Sequence, residues 1–231
     1  MIRVFLAVSL AVSVCGGILA LAQPASAETV ITGTVKSKDG RPVRGLALLE
    51  KGEIHNNVWD RGALVDAQGR FRIEVASGGQ YGLHVYSSGY FYDPQAVRVE
   101  TGKTLEVNVT LVPEPTRTND PVIKKVGFFP LEARQGKVTF VKMDVADPNG
   151  ILGPQVLAVN AATGRAYALD PPRRVWSLKA NYPNGVYQVE VDTSRAPINP
   201  RDWHFVVADH QCNTSDILSY PHEPKPQQVI K

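Results

Sequence analysis

His210 and Cys212 stand two residues apart near the end of this 231-residue chain. On a strand that spacing puts both side chains on one face, and imidazole with thiolate suits copper or zinc. A metal site needs three or four such groups. His204 shares the parity of His210 but lies roughly 20 Å away along an extended strand. The one other cysteine, Cys15, sits near the opposite end of the chain. The pair is therefore read as loop residues bordering a final strand. No metal and no cofactor is expected, and His210 and Cys212 are the residues that would hold a metal if one were bound. Asp144, Asp147 and Asn149 offer oxygen atoms of the kind calcium takes, but Asp-Pro-Asn-Gly is also a plain turn in which short polar side chains bond their own backbone. There is no GxSxG elbow, no P-loop and no dinucleotide fingerprint. Hence no enzyme is expected. Tyr86, Tyr90, Phe91 and Tyr92 form an aromatic cluster with Trp59 nearby. Aromatic faces on loops stack on sugars or anchor a protein partner, so these five are the candidate binding residues.

The elements that must position them are strands. Between Gly69 and Tyr90, Phe71, Ile73 and Val75 alternate with Arg70, Arg72 and Glu74, and Tyr81, Leu83 and Val85 alternate with Gly82 and His84. With side chains on opposite faces at period two, each run offers one apolar and one wet face, and Ser77-Gly78-Gly79 between them predicts a β-hairpin. Thr104 to Val112 alternates in the same way, with Leu105, Val107, Val109 and Leu111 on one face. About seven such strands fall in residues 28–113, the density of a β-sandwich. Residues 113–121, PEPTRTNDP, hold three prolines and no large apolar residue, and 114–121 is read as a stiff linker holding two cores apart. A second sandwich is expected over 122–219, with Val138, Phe140 and Met143 facing inward and a strand at Val175–Leu178. The tail 220–231 is expected to be disordered. The fold class expected is all-β: two consecutive antiparallel β-sandwich domains.

Composition describes a soluble globular protein. Hydrophobic residues make up 43% and the mean hydropathy is −0.14, while 19 Gly and 17 Pro suit many turns. Arg3, the apolar run 4–22 and Ala25-Ser26-Ala27 read as a signal peptide over 1–27. If retained, that run would be a membrane anchor, since it approaches the ~20 residues that span a bilayer. Cleavage removes one of 25 basic residues and leaves 24 against 22 acidic ones. A surplus that small does not argue for nucleic acid or anionic lipid. Cleavage also leaves Cys212 alone, so no intrachain disulfide is available.

The spacing Gly33-x-Val35, Gly40-x-Pro42-Val43-x-Gly45, Gly69-x-Phe71-x-Ile73, Gly79-x-Tyr81-x-Leu83 and Gly89-Tyr90 resembles the carboxypeptidase regulatory-like family over 28–113. That resemblance implies a transthyretin-like, seven-stranded and non-catalytic module, with Tyr81 burying its ring while its hydroxyl finds a backbone partner. In the second half, Ala-Asp-Pro-Asn-Gly-Ile, Pro-Asn-Gly-x-Tyr-x-Val and Asp209-x-x-x-Asn213-x-Ser215 resemble bacterial immunoglobulin-like modules. A Gly commonly precedes that Asn, and here the position is Cys212. The expected function is a structural or binding module of the cell envelope. It would be periplasmic, cell-surface or extracellular, with an envelope protein or polysaccharide as partner. The alternative is an accessory subunit of a periplasmic metal or redox system using His210 and Cys212.

Overall fold

The computed structural model describes residues 27–54, 58–91, 93–115, 120–133, 136–148, 155–170, 185–194, 196–209 and 211–219. The first half contains β1 (Thr29–Ser37), β2 (Gly45–Lys51), β3 (Trp59–Val65), β4 (Arg70–Val75), β5 (Gly79–Tyr86), β6 (Tyr90–Phe91), β7 (Gln95–Val99) and β8 (Thr104–Pro113). The second contains β9 (Val122–Ala133), β10 (Gly136–Ala146), β11 (Gln155–Asn160), β12 (Arg165–Ala168), β13 (Gly185–Asp192), β14 (Trp203–Ala208) and β15 (Leu218–Ser219), with one 3-10 turn at Pro200–Asp202. No helix among the described residues is long and apolar enough to cross a membrane. The all-β sandwich class is as expected.

In the first half, the sheet β4-β1-β8-β6 faces strands β3-β2-β5-β7. Between them lies a core of Ile31, Val35, Leu49, Phe71, Ile73, Tyr81, Leu83, Val85, Val109 and Leu111. The predicted inward faces of the hairpin and of β8 are the buried ones. Tyr81 keeps its ring inside and donates its hydroxyl to Ser77 O at 2.9 Å. Gly69 has φ +75°, and a Cβ there would stand 2.4 Å from Val35 O, so the turn into β4 admits no side chain.

In the second half, β13-β10-β9 faces β12, β11 and β14. The core between them holds Val141, Met143, Val145, Val156, Tyr187, Trp203 and Phe205. Here the expected inward set is corrected. Met143 is inward, with Val141 and Val145, but Val138 and Phe140 are only half-buried and lie on the other face. Both faces of β10 carry apolar residues, so alternation alone could not choose between them. Phe140 instead pairs with Phe129, and the Lys142 ammonium lies 5.0 Å from the Phe129 centroid and 6.0 Å from that of Phe140. The strand expected at 175–178 lies outside the described residues. So do residues 1–26 of the expected leader and the whole of the expected tail.

Two further differences concern topology. The strands were expected to pair antiparallel, but β1 and β8 run parallel, from Val30 against Thr104 to Ser37 against Leu111. A parallel pair needs a long crossover, and the whole of β2 to β7 supplies it. Nor are the two cores held apart. One sheet runs β15-β14-β11-β12-β3-β2-β5-β7 through both halves. At its joint Arg165 pairs with Arg61, and Gly62 N donates to Gly164 O at 2.8 Å. A third cluster joins Leu46, Leu48 and Tyr86 to Leu157, Val159, Ala166, Val206 and Ala208. These residues occupy the faces of β2, β5, β11 and β14 turned away from the other two cores. The long sheet is therefore folded on itself. The chain stacks in four layers with three apolar seams, and the central seam spans both halves.

Filling the central seam stabilises both halves at once. Leu48→Ala should cost about 2–5 kcal/mol through lost burial and the cavity left behind. Urea unfolding followed by fluorescence and by circular dichroism should shift as one coincident transition. Two separated transitions in the unmodified chain would show that the halves do not depend on the seam.

Candidate functional site

The titratable side chains drawn together inside the fold include His84, which alternation alone puts on a wet face. Glu50 closes β2, and His84 and Tyr86 close β5, all three on the side facing the central seam. All three have 0% exposure. His84 Nε2 donates to Glu50 Oε2 at 3.0 Å. The Tyr86 hydroxyl lies 3.4 Å from His84 Nδ1 and donates to Gln155 Oε1 of β11, so the network bridges the two halves. Trp59 sets its ring edge-on to His84, with centroids 4.8 Å apart. Gly82 leaves the space the pair needs: a Cβ there would lie 3.2 Å from His84 Nε2 and 3.4 Å from Glu50 Oε2.

An imidazole, a carboxylate and a phenol in contact can move protons. Catalysis also needs a substrate within reach, and no surface of this trio is open. Its geometry suits another task. A polar pair in an apolar seam is satisfied in only one docking arrangement, so it selects that arrangement. The signal for the seam was present in the sequence: Leu46 to Leu49 is an unbroken apolar run, the mark of a strand buried on both faces.

The four described candidate aromatics do not form one surface. Tyr86 is fully buried in the network, which corrects its place among exposed binding residues. Trp59 is half-buried against the central cluster. Tyr90 packs on the first core, and Tyr90 and Phe91 pair with Pro113 and Val112 at the sheet edge. Tyr92 lies outside the described residues, as does His210. His204, on β14, is bound to Ser219: its Nδ1 and the Ser219 hydroxyl are 2.8 Å apart. Burial holds its pKa below the usual histidine value, against the opposing pull of Asp202. Among the described residues no three of His, Cys, Asp and Glu gather. Asp147 is buried and Asp144 lies on β10, while Asn149 is outside the described residues.

Cys212 is half-buried in a tight loop built on Asp209. One Asp209 carboxylate oxygen accepts from Gln211 N at 2.8 Å and Asn213 N at 2.9 Å. The other accepts from Asn213 Nδ2 at 2.7 Å. Cys212 has φ +69°, alone among the described non-glycine residues in being positive. The position where the related pattern carries Gly is thus the one whose backbone calls for it.

Two stability outcomes follow from these geometries. Glu50→Ala should cost about 3–5 kcal/mol by leaving a buried partner uncompensated, and Glu50→Leu with His84→Phe should recover most of that loss. Urea midpoints check both, and a single variant that is no worse than the double would contradict the pairing. Cys212→Gly should stabilise the chain by roughly 1 kcal/mol by relieving the left-handed strain. A lowered midpoint would mean that the side chain contributes more than its backbone costs.

Residues 30–112 match the carboxypeptidase regulatory-like domain family. No curated protein matches the chain. Among solved structures, the chain is similar to BcpA, the major pilin subunit of Bacillus cereus, at 10% identity and TM-score 0.33, over 83% of this chain and 68% of that one. It is similar to a DUF3823 family protein from Parabacteroides merdae at 12% identity and TM-score 0.30, over 84% and 99%. It is also similar to the shaft pilin SpaA of Lactobacillus rhamnosus GG at 12% identity and TM-score 0.30, over 87% and 100%. At such scores these likenesses carry no argument about function. The family match covers the first sandwich alone, which is similar to a carboxypeptidase regulatory-like domain.

Proposed function

We propose that this is an exported, non-enzymatic binding and spacer module of the cell envelope. In this reading, 1–27 is a cleaved leader, and 28–113 and 122–219 are two sandwich domains, the second immunoglobulin-like. The partner is an envelope protein or polysaccharide. One observation carries the reading: the imidazole–carboxylate–phenol group is sealed inside the central seam, where it can hold two layers together but can meet no substrate. The regulatory-like family match and the leader pattern support it. A spacer must transmit position without flexing, and four layers with a shared middle seam form a stiffer unit than two beads on a linker.

Immobilised mature chain incubated with solubilised envelope polysaccharide and protein should retain a partner reproducibly. Retention should fall when Tyr90 and Phe91 are both replaced by alanine, if the sheet edge at β6 forms the surface. Retention unaffected by those changes would move the surface elsewhere. A hydrolytic activity copurifying with the chain and abolished by His84→Phe would overturn the non-enzymatic reading.

A further inference from the structure

The sheet β13-β10-β9 turns Val141, Met143 and Val145 into the second core, so its opposite face looks outward. Period two puts Phe140 and Lys142 on that outward face. Opposed residues on neighbouring strands share a face. Phe129 of β9 is the register partner of Phe140, and Glu190 of β13 is its partner on the other side. Lys142 pairs with Gly127 on β9 and with Gln188 on β13. Phe129 is 49% exposed, although the residues around it are largely charged or polar. A large apolar ring left half bare in the middle of a sheet face is the feature to be explained.

Gly127 sets the position of that ring. A Cβ at Gly127 would stand 2.8 Å from Phe129 Cε2 and 3.0 Å from its Cζ. The ring therefore leans back along β9 into the space a side chain at 127 would fill, and backbone supports it from beneath. The Lys142 ammonium, 5.0 Å from the Phe129 centroid and 6.0 Å from that of Phe140, stands among the rings. Among the described residues the ion pairs are made elsewhere and take up neither Lys142 nor Glu190. Phe129 is thus a supported, half-open aromatic platform, with a cation beside it and an anion one strand beyond Phe140.

We propose that this face binds a neutral polysaccharide of linked pyranose rings, one ring stacking on Phe129 while its hydroxyls bond Lys142, Gln188 and Glu190. The site rests on the binding-module reading above and names its surface and ligand class. A pyranose has an apolar C–H face and a rim of hydroxyls. An aromatic ring with hydrogen-bonding side chains around it is the complement of both. Charge selects a neutral sugar. Lys142 and Glu190 are equal and opposite, so neither a polyanion nor a polycation gains from the face. Between them they supply donors and acceptors, and the Gln188 amide supplies both. A protein partner matches less well. The centre of a stable protein interface is depleted in charge, and each side buries about 800 Å2. Here an ammonium stands at the centre, among the rings.

Calorimetric titration of the full chain with cellohexaose, maltohexaose and hexagalacturonate tests this. At least one of the two neutral chains should bind, with an affinity that added salt leaves unchanged. Phe129→Leu keeps an apolar side chain on the face, so the unliganded melting temperature should hold. The same change should weaken binding by about tenfold, because it removes the stacking ring. Phe129→Tyr should keep the affinity, and Lys142→Met should lower it several-fold. No binding of either neutral chain, or binding indifferent to Phe129→Leu, overturns the site. Tighter binding of hexagalacturonate overturns the neutral assignment. A concentration-dependent dimer in analytical ultracentrifugation, abolished by Phe129→Leu, would give the face to a second copy and overturn the saccharide. An envelope partner retained equally by the Phe129→Leu and unmodified chains leaves the module reading standing without this site.

Discussion

The structure depends on two strands that have no wet side. β2 and β5 present Leu49, Leu83 and Val85 to one core and Leu46, Leu48 and Tyr86 to another. A sheet buried on both faces requires a layer on each side, and here the second layer is the β11–β14 sheet of the other half. Without it, a contiguous apolar surface around Leu46 and Leu48 would face water, together with Glu50 and His84. Hydrophobic burial makes the docking favourable, at roughly 25 cal/mol per Å2 of apolar surface removed. It does not by itself make it unique. The Glu50–His84–Tyr86–Gln155 network adds that constraint, since its partners meet in only one register of the two layers.

The joint at β3 and β12 shows how the same constraint creates an exposed feature. Folding the long sheet so that Leu48 meets the β11–β14 face brings Arg61 and Arg165 opposite each other on the outside. Gly62 allows the close approach of the two halves, because a Cβ there would stand 2.7 Å from Val159 Cγ2. The inner and outer faces of the joint are thus linked. The inner one is dry and closely packed, while the outer one sets two arginines opposite each other. A further tie across the halves comes from the Ser88 hydroxyl, which donates to Asp216. Position is held at several points around the seam, as a spacer or binding module would need.

The parts that could be read along the chain were the ones fixed by neighbours in sequence. Alternation placed Phe71, Ile73, Val75, Tyr81 and Leu105 to Leu111 inward because period two is local geometry. The glycine spacing located the turn before β4, and the Asp209-to-Ser215 pattern located the tight loop, down to the position where glycine was missing. What failed were inferences about what covers a face. Alternation with its neighbours puts His84 on a wet face, and proximity in sequence groups Tyr86 with Tyr90. The strand end and the following turn send one into the seam and the other onto the first core. Val138 and Phe140 were sent inward because β10 is apolar on both sides, and only its register with β9 and β13 selects a face.

By itself, the order of residues determined that this chain is made of short strands, that they build sandwiches, and that its first half has the regulatory-like pattern. Those are consequences of backbone geometry and side-chain type acting over a few residues. The tertiary structure alone decided that the two sandwiches share a sheet, that a glutamate and a histidine are sealed between them, and that two arginines from distant strands face each other across the joint. Burial and charge proximity depend on which surfaces meet in space, and residues about a hundred positions apart carry no local mark of their meeting.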